Sequence, residues 1–198
     1  MHDSFIEALS SSEQPVPGGG AAAAYAGSVG LALLEKIVRL EIRRYPIVSE
    51  PSLWGDLLDQ VSTLSKILYQ LRDEDGKSYM FLAETKASRK KEEEVAAALM
   101  QTIECPMKIL EQTHKALSCV SVAAEHCKRH LLSDLQVVCE ILGAAGQGAY
   151  HISIANLRLM ADPISKADYQ SRLTKLHARS RELIKLAQAS ILQSGHKL

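Results

Sequence analysis

The chain has 198 residues, which suits one domain, residues 1–198, that can bury roughly 70% of its unfolded surface. Lysine plus arginine and aspartate plus glutamate each total 23, so the formal net charge is zero. This balance argues against nucleic acid or an acidic membrane as the main partner, because both attract basic proteins. The four cysteines form no C-x-x-C pair and the N-terminus shows no signal-peptide pattern, so we expect free thiols and a cytoplasmic setting.

The first two predicted elements are helices of very different length. Ser4 with Glu7 has the pattern of a capping box and predicts a short helix. An alanine-rich helix follows Gly18–Gly20 and is predicted to end near Arg44, before Tyr45–Pro46. Its uncharged first half is too short and too rich in alanine to cross about 30 Å of hydrocarbon, so we expect no membrane span.

Two long helices are predicted in the middle of the chain. Apolar residues recur at threes and fours from Leu53 onward and predict a continuous helix to about Lys86, weakened at Gly76. The next long helix is predicted to begin near Ser88. Pro106 should kink or restart it, because proline lacks the backbone N–H that a helix needs.

The last two helices are predicted from capping signals. Ser133 with Gln136 forms a second capping-box pattern and opens a helix to about Leu159, which Asp162–Pro163 ends. Ser165 is then expected to cap the final helix. The fold prediction is therefore all-α, an up-and-down bundle of five to six helices whose long apolar faces favour a dimer.

The three consecutive glycines, Gly18, Gly19 and Gly20, have two interpretations. They precede a helix whose first N–H groups lack internal partners, so they could let an anionic ligand approach the helix start closely. They could equally serve close packing between helices. No Gly-Lys-Ser/Thr follows them, which excludes a Walker A loop.

A few polar residues could carry chemistry, each with a simpler alternative. Asp75 beside Gly76 could be a solvated turn, and Asp134 a first-turn carboxylate that favours the helix dipole. His126, His130 and Asp134 would share a face if one helix ran through them, which would suit zinc. Neighbouring basic residues oppose a cation there, so an ordinary helix end is favoured and no metal is expected.

The stretch PVPGGGAAAAYAGSVGLALLEKIVRL resembles the opening of the cyclodeaminase/cyclohydrolase family. This family includes the C-terminal domain of formiminotransferase-cyclodeaminase and stand-alone methenyltetrahydrofolate cyclohydrolases. Further stretches are similar to family motifs and come in the family's order, so the likeness spans residues 4 to about 160. They are Asp75-Gly76-Lys77-Ser78-Tyr79, Cys105-Pro106-Met107, Leu132-Ser133-Asp134 and Ala155-Asn156-Leu157.

The resemblance implies a helical homodimer that binds a tetrahydrofolate derivative as substrate. The family either closes 5-formiminotetrahydrofolate to 5,10-methenyltetrahydrofolate with loss of ammonia or hydrolyses the methenyl form to 10-formyltetrahydrofolate. A separate formiminotransferase partner is then possible. The implied acid/base or cation-stabilising residues are Asp134 and Asp75, and Lys90 is implied as a catalytic residue that contacts the folate's carboxylates or assists protonation. The implied substrate contacts are Gly18, Gly19, Gly20, Ser133 and Asn156.

Three departures from the family pattern keep a second hypothesis open. Ile152 stands where an asparagine is expected, Cys127–His130 replaces a G-N-x-N stretch, and Arg89 replaces a proline before Lys90. The alternative to a folate enzyme is a non-catalytic helical dimer of the same fold with a binding or assembly role.

Overall fold

A computed structural model describes residues 4–44 and 53–196. These residues form six α-helices and one 3₁₀ turn, with no strand among them, which confirms the predicted all-α class and the helix number. The helices are α1 Ser4–Ser10, α2 Gly19–Arg44, α3 Leu53–Ala87, α4 Glu92–His126, α5 Leu132–Leu157 and α6 Pro163–His196, and the 3₁₀ turn is Arg129–Leu131. The predicted helix stop at Tyr45–Pro46 lies outside the described residues.

Helices α2 to α5 form a ring of four, and α6 packs against α4 and α5. Successive long helices run in opposite directions. Close approach in the ring depends on small residues: a Cβ on Gly27 would lie 2.8 Å from Leu68 Cδ1 on α3 and 3.7 Å from the Ala145 side chain on α5. The ring therefore brings the start of α2, the middle of α3 and the end of α5 to the same level.

The core lies along the axis of this ring and continues between α4, α5 and α6. Each fully buried leucine or isoleucine contributes roughly 1.5–3 kcal/mol relative to an exposed one. The largest fully buried side chains are Leu31, Leu34, Ile37, Leu68, Ile103, Ile109, Leu110, Leu117, Leu135, Leu142, Leu157 and Leu173.

Length and composition would also let α2 cross a membrane. Half of its most apolar 18-residue window is buried against other helices, however, and core helices of soluble proteins satisfy the same criteria.

The turn between α3 and α4 differs from the prediction. Helix α3 is continuous past Gly76, as expected, but α4 begins at Glu92 rather than near Ser88. Arg89 has φ 50°, and the Lys90 N–H donates to the Thr85 carbonyl at 3.3 Å, which is a helix-ending turn that normally uses glycine. A proline could not occupy position 89 in this turn, because its ring fixes φ near −65°.

Pro106 neither kinks α4 into two helices nor restarts it, so the expectation of a restart is wrong. In a regular helix the Thr102 carbonyl accepts a hydrogen bond from the N–H of residue 106, which proline lacks. The Asn156 side chain on α5 fills this vacancy, because its Nδ2 donates to the Thr102 carbonyl at 2.7 Å.

Two capping predictions are also wrong. Ser133 lies inside the first turn of α5, whose N-cap is Leu131 with no side-chain hydrogen bond. The cap of α6 is Asp162 and not Ser165. The Asp162 carboxylate accepts the backbone N–H of Ser165 at 2.8 Å and that of Ile164 at 3.4 Å, and Pro163 takes the first helical position.

Candidate active site

The start of α2 is held by a carboxylate of this chain. The Ala21 backbone N–H donates to Asp75 Oδ2 at 2.9 Å, so Asp75 on α3 caps α2 from 54 residues away. A Cβ on Gly20 would overlap the Asp75 carboxylate. Glycine at position 20 is therefore required so that the carboxylate can lie on the α2 backbone. The positive end of the α2 dipole therefore faces the Asp75 carboxyl of the same chain.

The other two glycines have different surroundings. A Cβ on Gly19 would lie 2.8 Å from Ile152 Cδ1 on α5, so Ile152 fills the space beside it. Around Gly18 no atom lies within 4 Å of the same position, so this glycine faces open space. Of the three glycines, Gly18 alone faces open space in the direction where a Cβ would lie.

Burial raises the pKa of Asp75, and the hydrogen bond from the Ala21 N–H opposes this effect only in part. Asp75 therefore keeps its proton at pH values where an ordinary aspartate is ionised. Because Oδ2 already accepts the Ala21 N–H, the oxygen left for proton transfer is Oδ1, which lies against Gly20. This is the arrangement of a general acid that can also stabilise a cation once ionised.

Two surface grooves flank Asp75. One holds about 370 Å³ between α3 and α4 and reaches Ser78 and Cys105, the near neighbours of Asp75. The other holds about 360 Å³ between α3, Val16–Pro17 and Phe5 of α1. The Phe5 ring is stacked on Tyr25 at 4.5 Å, which ties α1 to the start of the bundle. Both grooves are lined by neighbours of Asp75 and not by Asp75 itself.

Lys90, predicted to be catalytic, lies away from Asp75. Twelve residues of α3 separate Asp75 from Ala87, about 18 Å along the helix, and Lys90 lies beyond that end. Its ammonium group is 3.8 Å from the Glu94 carboxylate, and both are exposed. It borders a separate cavity of about 590 Å³ with an apolar interior, formed by the start of α4 and the α5–α6 turn.

Asp134 and Ser133 lie at the opposite end of the bundle. Eighteen residues separate Asp134 from Ile152, which is five full turns of α5, so the two share a face about 27 Å apart. Because Ile152 touches Gly19, Asp134 lies far from Asp75 within one chain. Asp134 and the start of α2 therefore do not share a pocket within one chain.

Asn156, predicted as a substrate anchor, lies near the Asp75 end of the bundle. Its Nδ2 is used by the Thr102 carbonyl, and its Oδ1 is the atom that remains for a ligand. Sequence reasoning treated it as a binding residue and missed its link to Pro106.

No group of three metal-ligating side chains lies close enough to hold a metal ion within residues 4–44 and 53–196. His130, one of the three residues considered above as zinc ligands, instead has its Nε2 atom 3.0 Å from an Arg44 nitrogen. The fully buried Glu41 links the end of α2 to the segment after α4. Its Oε1 accepts the Lys128 N–H at 3.2 Å and pairs with Arg44 at 3.3 Å.

Comparison with known proteins places the chain in a family. A family model described as formiminotransferase-cyclodeaminase matches residues 1–175. The chain belongs to this family. It is 26% identical to rat formimidoyltransferase-cyclodeaminase over 81% of its own length and 31% of the relative's, and 26% identical to the chicken protein over 87% and 33%. It therefore spans about a third of the length of these curated relatives.

The family fold is also found among solved structures. Formiminotetrahydrofolate cyclodeaminase from Thermotoga maritima superposes with a TM-score of 0.85 at 18% identity, covering 96% of this chain and 94% of that one. At this identity the likeness concerns the fold. The family match ends inside α6, so the last turns of that helix lie beyond it.

Against this family background, two residues were missed or misjudged from the sequence. Glu41 follows Ile37 by four residues, so it continues the buried stripe of α2, and that phase was a usable signal for its burial. Ile152 was recognised only as a departure. Its contact with Gly19 could not be inferred, since it depends on the register of α2 against α5.

Proposed function

We propose that this protein is a folate one-carbon enzyme of the cyclodeaminase or cyclohydrolase type. The observation that carries the proposal is Asp75: a buried carboxyl with a raised pKa, held over Gly20 by the Ala21 N–H. Family membership supplies the substrate class, a tetrahydrofolate derivative. The name of the solved relative, formiminotetrahydrofolate cyclodeaminase, supports the same class.

The chemistry suits a carboxyl that changes protonation. In cyclodeamination, N10 of the folate attacks the formimino carbon, and the bond from that carbon to the leaving nitrogen breaks. Protonated Asp75 would give its proton to that nitrogen, which leaves as ammonia. The resulting Asp75 carboxylate would stabilise the positive charge of the methenyl product. In hydrolysis of the methenyl form, the ionised carboxylate would take one proton from the attacking water. The bond from the carbon to N5 would then break as the remaining hydroxyl proton passes to N5, which leaves the formyl group on N10.

We further propose that the active form is a homodimer with Asp75 and Asp134 in one site. The outer surface of α2 and α5 supports this, because residues 19–34 and 141–157 carry no lysine, arginine, aspartate or glutamate, and Val29 and Val137 are exposed. A two-fold axis across this surface, perpendicular to the helices, would set Asp134 of one copy near Asp75 of the other. Such a pair would bring together two carboxylates that one chain holds at opposite ends of the bundle.

Mixing two inactive variants tests both proposals. Asp75→Asn and Asp134→Asn should each lose at least 100-fold in turnover of a formimino- or methenyltetrahydrofolate, measured by methenyl absorbance. Unfolding and remixing the two variants in equal amounts should restore about one quarter of wild-type activity, because half the dimers then contain one intact site. Activity in both single variants would refute the roles, and no restoration on mixing would refute the shared site.

The substrate of the first reaction requires a formimino donor. The curated relatives are named formimidoyltransferase-cyclodeaminases, and this chain covers about a third of them. We propose that a separate formiminotransferase supplies the substrate if the cyclodeaminase reaction is the physiological one.

A second candidate function is a non-catalytic helical dimer. Ile152 favours it, because an apolar side chain closes the space beside Gly19 where the family pattern has an amide. Ile152→Asn separates the candidates when turnover is compared with that of the wild-type chain. Wild-type turnover removes this candidate, whereas activity that appears only in Ile152→Asn would establish it.

A further inference from the structure

A chain of three hydrogen-bonded side chains joins α5 to α6, on the side of α5 away from α2. Gln147 Nε2 lies 2.9 Å from His151 Nε2, and Gln147 Oε1 lies 3.0 Å from His177 Nε2. The His177 ring is stacked on Tyr150 with 3.8 Å between centroids and 12° between planes. These contacts hold both imidazoles to the two ends of one amide.

We infer that this relay, His151–Gln147–His177, accommodates at most one added proton, and that a second proton releases α6 from α5. An amide offers an oxygen that accepts and an N–H that donates, so one imidazole Nε2 must donate while the other accepts. One added proton is compatible with this rule. If that proton binds His151, the Gln147 amide can rotate so that its oxygen faces His151. Two added protons leave two donors facing one acceptor.

The groups around the relay on its own helices oppose a second positive charge. Burial lowers the pKa of His177, and Arg181 on α6 and His151 on α5 lower it further. Tyr150 covers one face of the His177 ring. No carboxylate forms an ion pair with either histidine among the described residues.

Of the helices packed behind the relay, α2 adds no charge, whereas α4 carries Glu104 and, two turns later on the same face, Glu111. From Gly19 to Leu34, α2 has no charged side chain. On α4, His114 is buried, and burial lowers its pKa to about 4, so it is neutral at ordinary pH. Glu104 on α4 accepts the hydrogen bond of the Tyr169 hydroxyl, two turns before His177 on α6.

His177 lies beyond residue 175, where the family match ends, so the relay joins two residues of the matched region, Gln147 and His151, to one outside it. The sign of its effect follows from the lowered pKa of His177. The unfolded chain binds more protons than the folded one, so the contribution to stability is present above the unfolded pKa of about 6.5 and is lost as pH falls. We expect α6 to loosen first, because the ring α2–α5 does not depend on this link.

The test is an NMR titration of the two imidazoles in the full chain. In the wild type, each of the two rings should show a biphasic titration curve, with a separation of at least tenfold in proton affinity between its two steps, because charging one ring weakens proton binding at the other. The separation should persist in about 1 M salt, which screens charge repulsion but leaves hydrogen-bond geometry intact. Independent titration, or a separation that vanishes in high salt, would overturn the proposal.

Three variants complete the experiment. Gln147→Leu should reduce the separation to less than half, whereas Gln136→Leu, which changes a glutamine on the same helix outside the relay, should leave it unchanged. A full separation in Gln147→Leu would overturn the relay. His177→Gln keeps a donor but cannot be charged, so hydrogen exchange in α6 should lose its acid-induced increase. An unchanged increase in this folded variant would contradict the release of α6.

Discussion

A carboxylate lies at each end of α2, and the two carboxylates have different surroundings. At the start of α2, Asp75 is held by one backbone N–H, has a raised pKa and lies between two grooves. At the other end, Glu41 is fully buried, pairs with Arg44 and accepts the Lys128 N–H. A buried acid with a cation beside it is a structural anchor, and one without a cation can release and regain a proton.

The largest expected effect comes from a substitution that disturbs only the Asp75 end of α2. Gly20→Ala should destabilise the fold by about 3 kcal/mol and abolish turnover, because the new Cβ overlaps the Asp75 carboxylate. Gly18→Ala is the matched control, since no atom lies within 4 Å of its added Cβ, and it should change stability by less than about 0.5 kcal/mol. Chemical denaturation measures both. Equal effects would show that Asp75 does not rest on Gly20.

A smaller effect is expected where α4 and α5 meet beside this end. Asn156→Ala should cost about 2 kcal/mol, because the Thr102 carbonyl loses its donor in a partly buried site. In a Pro106→Ala background, residue 106 regains its N–H, so the same change should cost about 1 kcal/mol less. A double-mutant cycle by denaturation measures this coupling. Strict additivity would contradict the assigned partnership.

The smallest expected effect on stability is a pH dependence that distinguishes Asp75 from Asp134. Because the folded pKa of Asp75 is raised, the folded state loses stability as pH rises from the unfolded value toward the folded one. Asp75→Asn keeps an oxygen for the Ala21 N–H and should therefore be as stable as wild type near pH 3 and more stable, by up to about 1 kcal/mol, at pH 7.

Asp134→Asn is the comparison at the far end. It should change stability by less than about 0.5 kcal/mol at either pH, since Asp134 makes no hydrogen bond in the described part of the chain. A pH-dependent gain in Asp134→Asn, or none in Asp75→Asn, would reverse the roles of the two ends.

The all-α class and the long helices were predictable, because apolar residues at threes and fours mark a helix face regardless of its partner. The continuity of α4 was not, since it depends on Asn156, fifty residues after Pro106. Asp162 was assigned only to the end of α5, although a carboxylate before Pro163 is also a strong N-cap signal.

Within the candidate site, the motif around Asp75 was found from the sequence but its partner was not. Gly20 was expected to face a ligand and instead faces Asp75, because the α2–α3 register is fixed by packing along both helices. One chain also sets Asp75 on α3 and Asp134 on α5 at opposite ends of the bundle, which the motifs alone could not reveal. Sequence motifs identify the residues, and only packing decides which of them share a pocket.

The central claim is that burial over Gly20 raises the pKa of the Asp75 carboxyl, which prepares it for acid–base chemistry. The most direct measurement is a carbon-13 NMR titration of the Asp75 side chain in the intact protein, with Asp75→Asn used to assign the signal. The structure predicts a midpoint above 3.8, the ordinary value for aspartate. A midpoint at or below 3.8 would contradict it, because the carboxylate would then be a fixed anion that only caps α2.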